Sequence, residues 1–219
     1  MNNNFLKRLI SSIILIPTII LIVIEGELIF ITFLFFGLIL SIYELSKISF
    51  SKLIFFFGFF YLTFSFYCIF QIRNFYPDNN LNLFNFMFIL ILCISTDIGG
   101  FIVGRTIKGP KLTKISPNKT ISGSLGSYIT SIIAIYFYLK YSDFIFQNSK
   151  IMDVYITVII LIISSISQIG DILISFFKRK ARLKDTGKII PGHGGLLDRI
   201  DGIIFAFPFF YILIDNNLI

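Results

Sequence analysis

VYITVIILIISSISQIGDILISFF, residues 154–177, is a stretch long and apolar enough to cross a bilayer as an α-helix, which needs roughly 17–25 residues. Polar residues recur within it and just after it at spacings of 3, 4, 4 and 3, namely Ser164, Ser167, Asp171, Ser175 and Lys178. This spacing places them on one face of a helix whose other faces are apolar. The stretch therefore predicts a membrane helix with one polar face turned toward a hydrated site. Serines alone are equally typical of packing between membrane helices.

The rest of the chain has the same apolar character. It has 219 residues, of which 56% are hydrophobic and 14% are charged, and its mean hydropathy is +0.87. This composition is typical of polytopic membrane proteins. We expect an all-α membrane bundle of about seven transmembrane helices, near 9–24, 28–45, 53–72, 83–104, 123–140, 154–177 and 202–216. Cys68 and Cys93 fall in apolar segments and are expected to be buried thiols.

The domain organisation follows from these spans. We expect a single integral membrane domain over residues 1–219, with N-terminal spans in 1–82 and a catalytic part in 83–219. The catalytic part carries two loops, 105–122 and 178–201. The first span is short, but no small-residue cleavage site follows it, so we expect it to be retained rather than removed as a signal peptide.

The basic residues are distributed unevenly between the two ends of these spans. All but three of the 19 fall in alternate connecting segments, the exceptions being Arg73, Lys140 and Lys150. The positive-inside rule then places the N-terminus and both long loops in the cytoplasm and the C-terminus outside. This orientation explains the net charge of +7 better than a nucleic-acid partner does, and we expect no nucleic acid to bind.

Two acidic residues, Asp97 and Asp171, lie inside predicted spans, each shortly before a basic loop. With ~1.5 Å of rise per residue, both lie roughly 10–12 Å below the ends of their helices. Because a charge in hydrocarbon costs at least ~2.5–3.5 kcal/mol, neither should face lipid. Their matched depth predicts a shared cavity that opens to the cytoplasm. The alternative for each is a structural hydrogen bond inside the bundle.

The loop that follows the sixth span mixes cations, carboxylates and glycines. Residues 175–201 read SFFKRKARLKDTGKIIPGHGGLLDRID and include His193, the one histidine of the chain. Its glycines can turn backbone N–H groups toward an anion. Asp198 and Asp201, three residues apart, suit Mg²⁺, which prefers oxygen ligands. The pattern predicts a site for a polyphosphate with a metal. Ion pairs with Arg199 and a structural His193 are the alternatives.

The other basic loop, within residues 104–127, is interrupted by Pro110 and Pro117 and is rich in Gly, Ser and Thr. It leaves the span that carries Asp97, so we expect it to form a second wall of the same site. The competing interpretation is a solvated loop that only sets topology.

Residues 175–201 closely resemble the signature of the phosphatidate cytidylyltransferases, also called CDP-diacylglycerol synthases. The resemblance rests on Ser175, Lys178-Arg179, Lys184-Asp185, Gly187, Pro191, His193-Gly194-Gly195, Asp198-Arg199 and Asp201. An upstream motif is similar as well, through Thr96-Asp97, Gly104-Arg105, Ile115-Ser116-Pro117, Lys119-Thr120 and Gly123. Separately, Gly170-Asp171 resembles the Gly-Asp pair of the family. The chain departs from the family at Ser122, where Glu is usual, at Ser127, where Gly is frequent, and at Gly202, where Ser is frequent. Family members are commonly longer, with more spans ahead of the first motif.

The resemblance implies a nucleotidyltransferase that makes CDP-diacylglycerol and pyrophosphate from CTP and phosphatidic acid in phospholipid biosynthesis. It implies a multi-pass protein of the cell inner (plasma) membrane whose active site faces the cytoplasm. Mg²⁺ is the expected cofactor, held by Asp171, Asp198 and Asp201, and a second cation and a homodimer are left open. The implied catalytic residues are Asp171, Lys178, Arg179, Lys184, Asp185, His193, Asp198, Arg199 and Asp201. The implied substrate-binding residues are Asp97, Arg105, Ser116, Lys119, Ser175, Gly194 and Gly195.

Two other functions compete with this one. A transporter of an anionic solute would place ionisable residues near the bilayer centre and would show repeat symmetry. Here the charges cluster at one end of the spans, and no repeat is visible. A CTP-dependent lipid kinase, or a cytidylyltransferase for another lipid phosphate, would share much of the motif.

Overall fold

The computed structural model describes residues 17–113, 115–116, 119–146, 152–187, 189 and 194–218, without the side chains of residues 143–146. The first described helix, α1, covers residues 17–25. The others are α2 (Glu27–Ile48), α3 (Lys52–Asn74), α4 (Asn79–Thr106), α5 (Ile121–Phe146), α6 (Val154–Lys180), α7 (Leu197–Ile200) and α8 (Ile203–Asp215). Within the described ranges the one strand-like pairing is an isolated antiparallel bridge between Lys111 and Thr120. The all-α prediction is confirmed.

Five helices, α2 to α6, are long and apolar enough to cross a membrane, and in each of them less than half of the apolar window is buried inside the bundle. Large apolar side chains such as Phe56, Phe57 and Phe36 are exposed, as expected for a surface that faces lipid. The protein is therefore a multi-pass membrane protein. The prediction of seven spans is not confirmed, because the predicted span 9–24 lies partly outside the described residues and α8 has only 13 residues.

The core of the bundle is built mainly from α4, α6 and α8. Phe84, Ile89, Ile163, Phe207 and Phe210 are buried together in one apolar cluster. Cys68 and Cys93 are free and buried, as predicted.

Helix α8 continues through Pro208, and a neighbouring helix compensates for it. Proline has no N–H, so the carbonyl of Ile204, four residues earlier, loses its partner within the helix. Ser65 Oγ of α3 donates a hydrogen bond to that carbonyl at 2.8 Å, and Tyr61 Oη donates at 3.3 Å. In a membrane, where water does not satisfy a free carbonyl, such side-chain donors allow proline inside a helix.

Helices α4 and α5 pack closely where both carry glycine. A Cβ on Gly99 would lie 2.8 Å from the carbonyl oxygen of Gly126, so the two backbones approach too closely for a side chain there. Small residues at such crossings are typical of membrane helix pairs. Ser127 Oγ also donates to the carbonyl of Thr96 across this interface, at 2.7 Å. The close packing places the loop between α4 and α5 beside the polar face of α6.

The helix ends form two contrasting ends of the bundle. Basic residues occupy the last turns of α2, α4 and α6, at Lys47, Arg105 and Lys178–Lys180. Lys180 Nζ lies 4.1 Å from the ring centroid of Phe50, next to the start of α3, so these segments meet at one end. We call this the basic end and the other the opposite end.

Candidate active site

A cavity of about 390 Å³ opens among α4, α5, α6 and α7 at the basic end. Its volume is within the ~300–1,000 Å³ typical of ligand sites. Its charged lining residues are Asp97, Lys119, Asp171, Lys178, Asp185, Asp198, Arg199 and Asp201, and Ser116, Thr120, Ser124 and Gln168 are among its polar ones. Asp97 and Asp171 therefore line one cavity, as their matched depth predicts, and its opening to the cytoplasm stays a prediction. Cations and carboxylates on one wall suit a multiply charged anion accompanied by a metal.

The polar face of α6 is directed into the bundle, as its spacing predicts. Ser164 and Ser167 are fully buried, Ser175 and Lys178 are nearly so, and Asp171 is partly exposed to the cavity. Thr96 Oγ1 of α4 donates to Ser164 Oγ at 3.0 Å. Thus Ser164 joins α6 to α4, as the packing interpretation of serine predicts. Asp171 and Lys178, nearer the basic end, line the cavity.

Asp171 and Asp201 meet at the inner end of the cavity. Asp201 is 7% exposed, and its carboxyl group is within hydrogen-bonding reach of Asp171. The neighbouring Gly170 explains how they meet, since a Cβ there would lie 2.7 Å from the carbonyl oxygen of Asp201. The Gly-Asp pair of the sequence therefore has a steric reason: glycine lets α6 approach the start of α8.

Lys119 crosses the cavity to neutralise Asp171. Its Nζ lies 2.5 Å from Asp171 Oδ2 and donates to the carbonyl of Gln168 at 3.4 Å. Ser175 Oγ donates to the other carboxylate oxygen, Oδ1, at 3.4 Å. The loop after α4 thus provides Lys119 as the partner of Asp171 on α6. This contact supports the prediction that the loop forms a second wall of the site.

Asp198 occupies the centre of a second set of contacts. Lys178 Nζ donates to its Oδ1 at 2.7 Å, and its Oδ2 accepts from the backbone N–H groups of Thr186, at 2.8 Å, and Gly195, at 3.1 Å. Burial alone would raise the pKa of the Asp198 carboxyl, but these hydrogen bonds outweigh it and hold the pKa below its ordinary value. Asp198 is therefore an ionised anchor that fixes both Lys178 and the backbone around it.

The remaining predicted residues divide into three groups. Ser116, Asp185 and Arg199 line the cavity, and Gly194 approaches Asp198, with a φ of +93° that favours glycine. Among the described residues, Arg105, Arg179 and Lys184 are exposed and do not line it. Arg179 instead donates to the carbonyl of Leu183 at 3.3 Å. His193 lies outside the described residues, and its predicted role stays a prediction.

Sequence reasoning missed residues that act through contacts between distant segments. Gln168 accepts a hydrogen bond from Ser124 at 2.6 Å and links α5 to the cavity wall of α6. Glu44 of α2 is fully buried and contacts Thr186 and the start of α7. The sequence does contain a signal for Glu44, because a carboxylate inside an apolar helix indicates a buried polar contact. However, Glu44 is near a span end and three residues from Lys47, where a surface ion pair is the ordinary explanation.

The fit of a divalent metal can be tested on these contacts. Asp171 and Asp201 are oxygen donors in mutual reach, Asp97 lines the same cavity, and ionised carboxylates so close repel each other. That donor set suits Mg²⁺. Asp198 fits less well, since four hydrogen bonds reach its carboxylate, three of them at Oδ2, whereas Asp171 is held by Lys119 and, at 3.4 Å, by Ser175. Within the described residues, no three acidic, His or Cys side chains are already arranged around one point.

The fold and cavity together define a membrane-embedded helix bundle whose basic end holds a mixed acidic and basic site. A sequence model of the cytidylyltransferase family matches residues 47–216, which include α3 to α8 and all of the cavity residues. The chain belongs to the cytidylyltransferase family.

Several bacterial proteins are similar to the chain. The phosphatidate cytidylyltransferase of Bacillus subtilis is 35% identical over 159 residues, which cover 70% of this chain and 55% of that protein. That of Rickettsia typhi is 42% identical over 130 residues, 56% of this chain and 55% of that protein. That of Staphylococcus haemolyticus is 39% identical over 142 residues, 64% of this chain and 52% of that protein. The chain spans about half the length of the curated relatives it matches.

Proposed function

We propose that this protein transfers the cytidylyl group of CTP to phosphatidic acid and releases pyrophosphate, so that it supplies CDP-diacylglycerol for phospholipid biosynthesis. The observation that carries the proposal is the cavity at the basic end, where Lys119, Lys178 and Arg199 lie beside a group of carboxylates. Family membership and the names of the relatives support the same reaction.

The chemistry requires one bond to form and one to break. A phosphate oxygen of phosphatidic acid bonds to the α-phosphorus of CTP, and the bond between the α-phosphorus and the bridging oxygen breaks to release pyrophosphate. The attacking group is already an anion, so a strong general base is unnecessary. Positioning and neutralisation of charge supply most of the rate enhancement in such a transfer.

The residues of the cavity can be assigned to these tasks. Lys178, aimed by Asp198, and Arg199 hold phosphate oxygens, and Lys119 exchanges Asp171 for a phosphate when substrate binds. Ser116 lies on the same wall and contacts the nucleotide or the lipid head group. Arg105, Arg179 and Lys184, which are exposed beside the cavity, attract the polyanion from solution.

Mg²⁺ would be held by Asp171 and Asp201, with Asp97 in reach, and would neutralise phosphate charge. The hydrogen bonds of Asp198 favour an anchoring role over its predicted role as a ligand. A second cation and a homodimer stay predictions.

We also propose that the protein lies in the cell inner membrane with its cavity open to the cytoplasm, where CTP is available. The clustering of basic helix ends at the cavity supports this orientation. Single cysteines at the exposed Lys111 and Lys184 should react with an impermeant thiol reagent only after the membrane is opened. One at the exposed Asn80, at the opposite end, should react in intact cells. The reverse pattern would contradict the orientation.

The reaction is tested with purified protein, phosphatidic acid and CTP labelled either in the cytosine ring or in the γ-phosphate. Ring label recovered in lipid supports cytidylyl transfer. Label recovered in lipid only from the γ-phosphate would identify a lipid kinase instead. Omitting phosphatidic acid is the control, because the ring label should then stay in the aqueous phase.

A further inference from the structure

Glu44 is a buried carboxylate with no assigned role. It lies on α2, four residues before the end of that helix, and its exposed fraction is 0%. It precedes the family match, which begins at residue 47, and it belongs to the N-terminal spans rather than to the predicted catalytic part. A charged group is rarely buried inside a membrane bundle without a functional or structural partner.

Among the described residues, Glu44 has its hydrogen-bond partners in the segment that carries Asp198. Thr186 Oγ1 donates a hydrogen bond to Glu44 Oε2 at 2.8 Å. The backbone N–H of Leu197 donates to the same oxygen at 2.8 Å, and that of Leu196 donates to Oε1 at 3.0 Å. Hydrogen bonds to an ionised acceptor are stronger than those between neutral groups. Glu44 therefore ties two separate parts of the segment, before and after its glycines, to α2.

The segment closes around the Glu44 carboxylate with no room for side chains. A Cβ on Gly187 would lie 2.4 Å from Glu44 Oε1, and one on Gly195 would lie 2.5 Å from Glu44 Oε2 and still closer to Thr186 Oγ1, which binds that carboxylate. Both glycines belong to the stretch between Lys184 and Asp198 that resembles the family signature. Their absence of a side chain is thus explained by the approach of Glu44.

Thr186 and Gly195 connect Glu44 to the cavity. Thr186 Oγ1, which bonds to Glu44, is also 3.1 Å from Asp198 Oδ2, and the N–H groups of Thr186 and Gly195 donate to that same oxygen. Asp198 in turn fixes Lys178, which lines the cavity. A continuous path of hydrogen bonds therefore runs from α2 to a cation of the site.

We propose that Glu44 is a positioning residue of the active site: through Thr186 and Gly195 it holds Asp198 so that Lys178 is aimed into the cavity. This role rests on the proposed cytidylyl transfer. Glu44 touches neither substrate nor the reacting atoms. Its removal should therefore slow the chemical step more than it weakens CTP binding, because Lys119 and Arg199 remain while Lys178 loses its alignment.

The test compares Glu44→Gln with Glu27→Gln, an exposed position on the same helix. Gln keeps the volume but turns an N–H₂ group toward the donors of the segment. We expect kcat of Glu44→Gln to fall on the order of tenfold, with KM for CTP changed less than about threefold. Leu196 and Leu197 donate to different oxygens of Glu44, and Gln has only one acceptor oxygen, so one of these two amides loses its acceptor. Hydrogen exchange at that amide should accelerate at least about tenfold in the same variant. Glu27→Gln should change neither quantity.

A second pair of variants tests the path and covers the case in which Glu44→Gln does not fold. Thr186→Val removes the hydroxyl with little change of shape, and Thr186→Ser keeps it. We expect Thr186→Val to lower kcat and Thr186→Ser to recover most of the loss. The double variant Glu44→Gln/Thr186→Val should be no slower than the slower single variant, because both interrupt one path.

The outcomes separate this proposal from the proposed function. Wild-type kcat in Glu44→Gln or in Thr186→Val would overturn the positioning role, and unchanged amide exchange in Glu44→Gln would overturn the contact. If the unmodified protein forms no CDP-diacylglycerol, the proposed function fails. Accelerated exchange in Glu44→Gln would still support the contact itself.

Discussion

Glu44 and Arg73 are two buried charges at the two ends of the same bundle. Glu44, at the basic end, accepts hydrogen bonds from backbone N–H groups of the segment whose Asp185 and Asp198 line the cavity. Arg73, at the opposite end, is 3% exposed and donates to the carbonyls of Val23 and Ile24 at the end of α1, at 2.8 and 3.1 Å. Each charge is neutralised mainly by backbone groups.

The difference lies in what each charge holds. Arg73 joins helix ends, and Gly26, with a φ of +67°, provides the space beside it, because a Cβ there would lie 2.8 Å from Arg73 Nη2. None of these residues lines the cavity described above. Buried charge therefore joins helix ends at the opposite end and, in the role proposed for Glu44, sets the geometry of the candidate site at the basic end. Variants at the basic end should therefore alter turnover, and those at the opposite end should alter stability.

Asp171→Asn should have the largest effect on turnover. It removes the charge that pairs with Lys119 and faces Asp201. We expect the rate of CDP-diacylglycerol formation to fall on the order of 10²-fold or more, and the Mg²⁺ concentration for half-maximal rate to rise. The measurement is a steady-state rate over a Mg²⁺ titration.

Asp153→Asn is the control at the opposite end. Asp153 caps α6 by accepting from the N–H of Ile156 at 2.7 Å, and Asn keeps that acceptor. Its turnover should match the wild type. Near-normal turnover of Asp171→Asn at saturating Mg²⁺ would remove Asp171 from the metal site.

Gly170→Ala should have the next largest effect. The added methyl group would lie 2.4 Å from the Phe205 ring and 2.7 Å from the carbonyl oxygen of Asp201, so α8 must shift away from α6. Overpacking of this kind costs typically ~1–3 kcal/mol. We expect turnover to fall roughly tenfold, because a displacement near 1 Å at reacting groups is sufficient for such a loss.

Gly37→Ala is the matched substitution away from the cavity. Its methyl group would lie 3.2 Å from the side chain of Phe66, which can turn aside. Equal turnover in the two alanine variants would show that the approach of α6 to Asp201 has no catalytic importance.

Ser122→Glu should change turnover only several-fold. The Ser122 hydroxyl bonds to the carbonyl of Lys108 and to Thr120, and Ser122 is not among the described residues that line the cavity. Replacing Ser122 with Glu therefore removes a contact within the loop and does not change a group that lines the cavity. Steady-state rates of both forms test this. A gain of a hundredfold, about 2.7 kcal/mol of barrier, would show that the position has a catalytic task.

Arg73→Gln should have the smallest effect on turnover and a clear effect on stability. Hydrogen bonds from a charged group contribute about 1.5–3 kcal/mol each, and several are lost. We expect the thermal unfolding midpoint in detergent to fall by several degrees, while the rate per folded molecule stays within about twofold of the wild type. A tenfold loss of rate at unchanged stability would contradict the division between the two ends.

The long helices could be predicted closely from the sequence. The predicted spans 53–72 and 154–177 correspond to Lys52–Asn74 and Val154–Lys180. They were predictable because the length of an apolar run is a local property that the bilayer thickness fixes. The short α8 shows the limit of this approach, since a helix supported by its neighbours need not span on its own.

The site was predictable in composition and only partly in geometry. Asp97 and Asp171 share the expected cavity. A charged side chain inside a membrane span is costly to expose to lipid, so it turns toward the interior of the bundle or a hydrated cavity. The directions of Arg179 and Lys184 were not predictable, since long exposed side chains follow local contacts rather than sequence pattern. Glu44 was missed because its partner Thr186 is 142 residues away, and no local periodicity reports such a contact.

The carbonyl of Ile204, which Pro208 frees within α8 and Ser65 binds, has a consequence for the orientation of that helix. Turning α8 by one residue, about 100°, would move this carbonyl away from α3. Asp201 lies two residues before α8 with helical backbone angles, so it would turn with the helix and away from Asp171. Pro208 removes one hydrogen bond within α8, but the carbonyl that it frees lets α3 fix the rotation of α8 about its axis. That rotation sets the direction in which Asp201 points.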